Sequence, residues 1–186
     1  TLFPYTTLFR SHEKARKVRA ALLLQRAVAY ADAQNYSDAI SDLDDYLSVD
    51  TASAMGHWER AVCQQLLNDY EASKGQKVTM KLSQVEGDFA MALQFSPQNA
   101  YTYYNRGNLF AQEKNYTRAV DDYTHAIKLD PRLAQAYYNR AIAYYFEGRI
   151  ADAQKDLSRA GELGLYDAYA LSRRLGEATA KKKEKK

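Results

Sequence analysis

The chain has 186 residues, 46% of them hydrophobic and 26% charged, with a formal net charge of +3. That is enough apolar material for a packed core, and it excludes wholesale disorder. So small a net charge gives no reason to expect a nucleic-acid or membrane-surface partner. Much of the positive charge sits at the end: Lys181–Lys186 holds five Lys and one Glu, a contribution of +4, which leaves the body at −1.

There are only 8 Gly and 3 Pro against 16 Tyr. A β-sandwich needs more turn-forming residues than this, whereas helices packed through Ala and Tyr do not. Cys63 is the only cysteine, so an internal disulfide and a multi-thiolate metal site are both excluded. It reads as a small buried apolar residue. No apolar run reaches the about 18 residues of a membrane-spanning helix.

In chain order, residues 1–11 read TLFPYTTLFRS. Phe3, Tyr5, Leu8 and Phe9 fit no helical stripe, Pro4 interrupts one, and nothing downstream is similar. The segment resembles the translation of a sequencing-adapter oligonucleotide and is expected to be foreign to the fold, with the native chain continuing upstream.

The segments starting at Asn99 and Leu133 then align at an offset of 34: Tyr103 with Tyr137, Tyr104 with Tyr138, Asn105-Arg106 with Asn139-Arg140, Ala119 with Ala153, and Ala126 with Ala160. A first copy, from about residue 20 to 53, carries Ala27, Tyr30, Tyr36, Ala39 and Leu43 at the matching places. A second, residues 54–99, carries Trp58, Arg60, Ala61, Val85, Phe89, Ala92 and Pro97. Arg60 and Arg106 stand 46 apart, twelve more than the period. The second copy therefore holds an insertion near residues 69–81, expected as lengthened helices with a turn at Ser73–Gln76 around Gly75. The third and fourth copies span 100–133 and 134–167.

The period, and the succession Tyr103, Gly107, Phe110, Ala119, Tyr123, Ala126 and Pro131, resemble the tetratricopeptide repeat (TPR). Small residues at 107 and 119 let two helices approach, aromatic residues fill the space around them, and Asp130-Pro131 ends the second helix. The resemblance implies an all-α fold: a right-handed α-α superhelix, or solenoid, of about four helix hairpins. Tyr169, Leu171 and Leu175, after the break at Gly164, are expected to form a capping helix at about 167–176. Residues 177–186 are expected to be a frayed basic tail. Residues 20–175 further resemble the C-terminal cluster of larger bacterial multi-TPR proteins, through Tyr101–Gly107, Tyr137–Ala141 and Asp156–Gly164; Ala141 departs from the usual Gly.

Two polar positions recur in all four copies: Arg26, Arg60, Arg106 and Arg140 on the first helix, and Asp42, Asp88, Asp122 and Asp156 on the second. They could form an acid-binding row of arginines or a set of Arg–Asp pairs between helices. The second reading is favoured, because a half-buried guanidinium needs a fixed acid.

Such repeats line a concave face with their first helices. Helical spacing assigns to that face Trp58, with Val62 and Gln65; Tyr101, Tyr104, Asn105 and Asn108, with Gln112; and Gln135, Tyr138, Asn139, Ile142 and Tyr145. This aromatic, amide-rich surface suits the main chain of a bound peptide. The expected role is a non-enzymatic protein-interaction scaffold with a protein or peptide partner. The alternative is a purely structural spacer or capping segment whose binding or catalytic part lies upstream. The family's clamp for acidic chaperone tails uses Lys and Asn where this chain has Leu24 and Val28, so acidic-tail recognition of that kind is not expected. His12, His57 and His125 have no metal-ligand spacing, and the chain lacks a phosphate loop or nucleophile elbow. No cofactor, metal or nucleic acid is therefore expected.

Overall fold

The computed structural model describes residues 3–183, and the side chains of residues 12–177. Among the described residues there are nine helices and no strands, and the fold is all-α. The helices are α1 (Phe3–Asp32), α2 (Tyr36–Val49), α3 (Ala54–Ser73), α4 (Leu82–Phe95), α5 (Ala100–Gln112), α6 (Tyr116–Leu129), α7 (Ala134–Phe146), α8 (Ile150–Glu162) and α9 (Asp167–Lys183). Their contacts fall into two compact units, Thr1–Pro97 and Gln98–Lys186.

In the first unit α1 pairs with α2, α3 with α4, and α2 packs on α3. Its core gathers Ala27, Ala39, Ile40, Leu43, Cys63 and Leu67. In the second unit α5 pairs with α6 and α7 with α8, α6 packs on α7, and α9 lies against α8. Here Phe110, Ala119, Val120, Tyr123 and Ala143 form one cluster. A second joins Ala141, Ala153, Leu157 and Ala160 to Ala168 and Leu175 of α9. Burying a side chain such as Leu157 or Phe110 stabilises by about 2 kcal/mol.

Matched side-chain sizes set the closeness of each hairpin. A Cβ built on Gly107 would lie 2.7 Å from the Tyr123 ring. One repeat later the residue is Ala141, and the equivalent of Tyr123 is the smaller Leu157, in the same buried cluster. The departure from glycine at 141 is thus offset across the hairpin.

The hairpin turns share one closure. Gln34, Lys114 and Gly148 take φ of 59°, 60° and 79°. The following N–H groups of Asn35, Asn115 and Arg149 donate to Tyr30, Phe110 and Tyr144 carbonyls at 2.8, 2.8 and 2.9 Å. This is the Schellman closure, which satisfies carbonyls that the helix end leaves open.

The structure departs from the sequence expectation in three places. Within the insertion only α3 is lengthened, to 20 residues, while α4 has the same 14 as α2 and α6. Residues 74–81 form a loop tied to α3 instead. Asn68 Nδ2 donates to Met80 O at 3.0 Å and Asn68 Oδ1 accepts from Met80 N at 3.1 Å, while Glu71 accepts from Thr79 N at 2.7 Å. At the C-terminus α9 passes Gly176 and runs to Lys183, since Ala, Glu and Lys are good helix formers and no proline intervenes. At the N-terminus α1 begins at Phe3. Proline is tolerated in a first turn, whose N–H groups have no helical partner. Residues 1–2 and 184–186, at the outer ends of the two segments set apart on sequence grounds, lie outside the described residues.

Candidate functional site

The recurring charges meet within each hairpin. Arg26 donates through Nε and Nη2 to the two oxygens of Asp42, both at 2.6 Å. Arg60 meets Asp88 at 2.8 and 2.6 Å, Arg106 meets Asp122 at 2.7 and 2.8 Å, and Arg140 meets Asp156 at 2.7 and 2.9 Å. All four aspartates are buried, and a planar fork of donors matches a carboxylate edge in this way. The guanidinium side chains of Arg60, Arg106 and Arg140 are 22%, 21% and 14% exposed, that of Arg26 60%. The spare Nη1 of Arg60 reaches Asp44 on α2 at 2.6 Å, and that of Arg140 reaches Thr124 on α6 at 2.9 Å. Each of these two arginines therefore links its own hairpin to the preceding one. Sequence reasoning missed this second acceptor, although Asp44 and Thr124 each stand 16 residues before the arginine they meet.

The remaining polar and thiol groups are structural in geometry. His57 lies buried with Nδ1 at 3.0 Å from Asp88 Oδ1 and Nε2 at 3.1 Å from the Thr51 carbonyl. His125, on α6, stacks on Tyr103 at 5.2 Å between ring centroids. Burial, and then the charge of Glu59, push the Cys63 thiol up to about 12. Among the described residues no group of three or more His, Cys, Asp or Glu could hold a metal ion, and no helix is long and apolar enough to cross a membrane.

The face read from the sequence is divided by the structure into two kinds of residue. In the second unit Tyr101, Gln135 and Tyr145 are exposed, and Tyr104, Asn105, Asn108, Tyr138, Asn139 and Ile142 are half-buried. Asn108 and Asn139 are engaged with each other. Asn139 Nδ2 donates to Asn108 Oδ1 at 2.9 Å and to Tyr104 Oη at 3.2 Å, and Tyr123 Oη donates to Asn108 Oδ1 at 2.9 Å. This network ties α5, α6 and α7 together, so these two amides are not free to read a guest main chain as the spacing suggested. Burial also pushes the Tyr123 hydroxyl well above the ordinary phenol range, keeping it a neutral donor. In the first unit Trp58 buries its indole N–H with no hydrogen-bond partner, which withdraws that donor from any surface role.

The second unit also holds a cleft of about 530 Å³ that the sequence did not reveal. Tyr138, Ile142, Tyr145 and Phe146 of α7 form one wall, Leu171, Arg174 and Leu175 of α9 the other, and Ala141 with Leu157 the floor. The available signal was the i, i+4 pair Leu171 and Leu175 enclosing Arg174.

Antiparallel helix pairs, recurring at a fixed spacing and joined by a repeated Arg–Asp fork, define a helical-repeat protein. Residues 100–133 match the family model described as tetratricopeptide repeat, and residues 122–155 match a second model with the same description. The chain thus carries tetratricopeptide repeats over these residues. Solved structures agree in fold. MamA is 20% identical, covers 87% of this chain and 87% of its own, and superposes with a TM-score of 0.70. Pseudomonas aeruginosa PilF is 19% identical over 90% of this chain and 78% of its own, with a TM-score of 0.65. The first TPR of Spaghetti (RPAP3), solved bound to the HSP90 peptide SRMEEVD, is 21% identical over 64% of this chain and 93% of its own, with a TM-score of 0.53. Folds of this kind are in general protein-interaction scaffolds.

Proposed function

We propose that the chain is a non-enzymatic scaffold that holds a segment of another protein against the first-helix face of its repeats, on α5 and α7. The observation that carries this reading is the set of exposed aromatic and amide groups on these two helices, Tyr101, Gln135 and Tyr145, the last of which lines the cleft with Tyr138 and Ile142. Such side chains give a large contact area at small entropic cost and can pair with a guest backbone. Asn105 adds an amide with no partner among the described residues, and a fold neighbour holds a peptide. No nucleic acid, metal or cofactor belongs to this reading.

A second reading, a structural spacer, draws support from the inward pairing of Asn108 and Asn139. Panning a phage-displayed peptide library against the immobilised chain separates the two. Enrichment that disappears when Tyr101, Asn105, Tyr138 and Tyr145 are changed together to alanine supports the scaffold. Enrichment unchanged by those substitutions, or none at all, leaves the spacer.

A further inference from the structure

The α7–α9 cleft has a composition that narrows the partner. Its walls are apolar and aromatic, and its one charged lining residue is Arg174. The other arginines of α8 and α9 and of the loop before α8 behave differently: Arg149 pairs with Asp152, Arg159 with Glu162, and Arg173 with Glu177. Arg174 has no hydrogen-bond or ion-pair partner among the described residues. Arg174 is exposed and lines the cleft beside apolar side chains, so an incoming carboxylate finds a planar donor fork with no acid of this chain already on it.

The dimensions add a second constraint. The α7 wall runs from Tyr138 to Phe146, about two helical turns or about 12 Å. A volume of about 530 Å³ lies within the about 300–1,000 Å³ range of ligand-binding clefts. A trough of this length between two helices suits a third helix, which would place apolar side chains between Ile142 and Leu171 and an acidic one at the rim.

Resting on the scaffold reading above, we infer that the cleft binds an acidic amphipathic helix of a partner protein: large apolar residues enter between Tyr138, Ile142, Leu171 and Leu175, and a Glu or Asp side chain of the partner pairs with Arg174. Exposed Tyr145 and Phe146 cover the guest's flank. This site is distinct from the Lys/Asn carboxylate clamp, whose places Leu24 and Val28 occupy, and it reads a side-chain carboxylate beside an apolar stripe.

The test uses the full chain and two fluorescein-labelled synthetic peptides, acetylated and amidated so that no terminal charge contributes. Each has about fourteen residues, four helical turns, with leucines along one face and either glutamates or lysines flanking them. The glutamate peptide should give saturable fluorescence anisotropy and the lysine peptide should not. Arg174→Glu, at an exposed position that leaves the fold intact by circular dichroism, should weaken the glutamate peptide about tenfold or more and admit the lysine peptide. Ile142→Asp should abolish binding of the glutamate peptide. Equal binding of the two peptides, or indifference to Arg174→Glu while Ile142→Asp still abolishes binding, overturns the acidic-helix inference and leaves the scaffold reading standing. No binding of either peptide also overturns the inference, and the library panning then decides the scaffold reading separately.

Discussion

Arg140 and Asp156 face each other edge to edge, with Nε and Nη2 of the guanidinium donating to separate carboxylate oxygens at 2.7 and 2.9 Å. Both side chains are largely buried, at 14% and 10% exposure, so the pair has little water to fall back on. Removing one partner strands a buried charge. Arg140→Ala is expected to destabilise the second unit by about 3 kcal/mol, whereas a double change to Met at 140 and Leu at 156 stays near neutral. Urea unfolding followed by circular dichroism reads both. The same truncation at the exposed Arg26 should cost visibly less, because water replaces the lost donor. Equal losses at 26 and 140 contradict this account.

The left-handed turn residue gives a prediction of opposite sign. Lys114 holds φ of 60° where the next repeat has Gly148 at 79°. A side chain in that region costs about 1–2 kcal/mol, partly offset in lysine's favour by the greater freedom of an unfolded glycine. Lys114→Gly should therefore stabilise by about 0.5 kcal/mol and Gly148→Ala should destabilise by about 1 kcal/mol. A thermal melt in which Lys114→Gly lowers the midpoint would show that the lysine does something here beyond closing a helix.

Gly107 and Tyr123 should behave as a coupled pair. The added methyl of Gly107→Ala meets the ring at 2.7 Å and should cost about 2 kcal/mol through overpacking. Adding Tyr123→Leu, which copies the neighbouring Ala141–Leu157 arrangement, should recover part of that loss although it removes the hydrogen bond to Asn108. A double-mutant cycle with no coupling would mean the backbone relaxes instead.

Cys63 is expected to resist alkylation. With its thiol pushed up to about 12 by burial, the nucleophilic thiolate stays scarce at pH 8 and gains only as pH climbs toward that value. Iodoacetamide at pH 8 should label the chain slowly when native and quickly in guanidinium chloride, as mass spectrometry can count. Fast native labelling would mean the first unit opens readily around Cys63.

Particular residues show what the sequence could and could not reveal. The ion pairs were legible because each hairpin repeats the same register: Arg and Asp lie 16 apart in three copies and 28 apart in the second, the difference being the twelve-residue insertion. Register alone fixes which faces meet. Asn108 and Asn139 were misread because an amide on the side of a helix has the same periodicity whether it points to water or to the next helix; only the position of the Tyr123 hydroxyl decides. The α7–α9 cleft was hidden for a related reason: Ile142 and Leu175 each look like ordinary packing residues, and the gap between them is a property of two helix axes. The shape of the 74–81 loop was not legible, since nothing in its spacing announces that Asn68 would grip the Met80 backbone.

The size matching between Gly107 with Tyr123 and Ala141 with Leu157 has a consequence for recombination. First and second helices of these two hairpins are not interchangeable parts. Joining α5 to α8 would set glycine against leucine and leave a hole, and joining α7 to α6 would force alanine into a tyrosine ring. Exchange of material between these two copies is thus viable for whole hairpins, cut at the linker between them, so a library that shuffles α5–α6 with α7–α8 should yield folded members when its crossovers respect that seam.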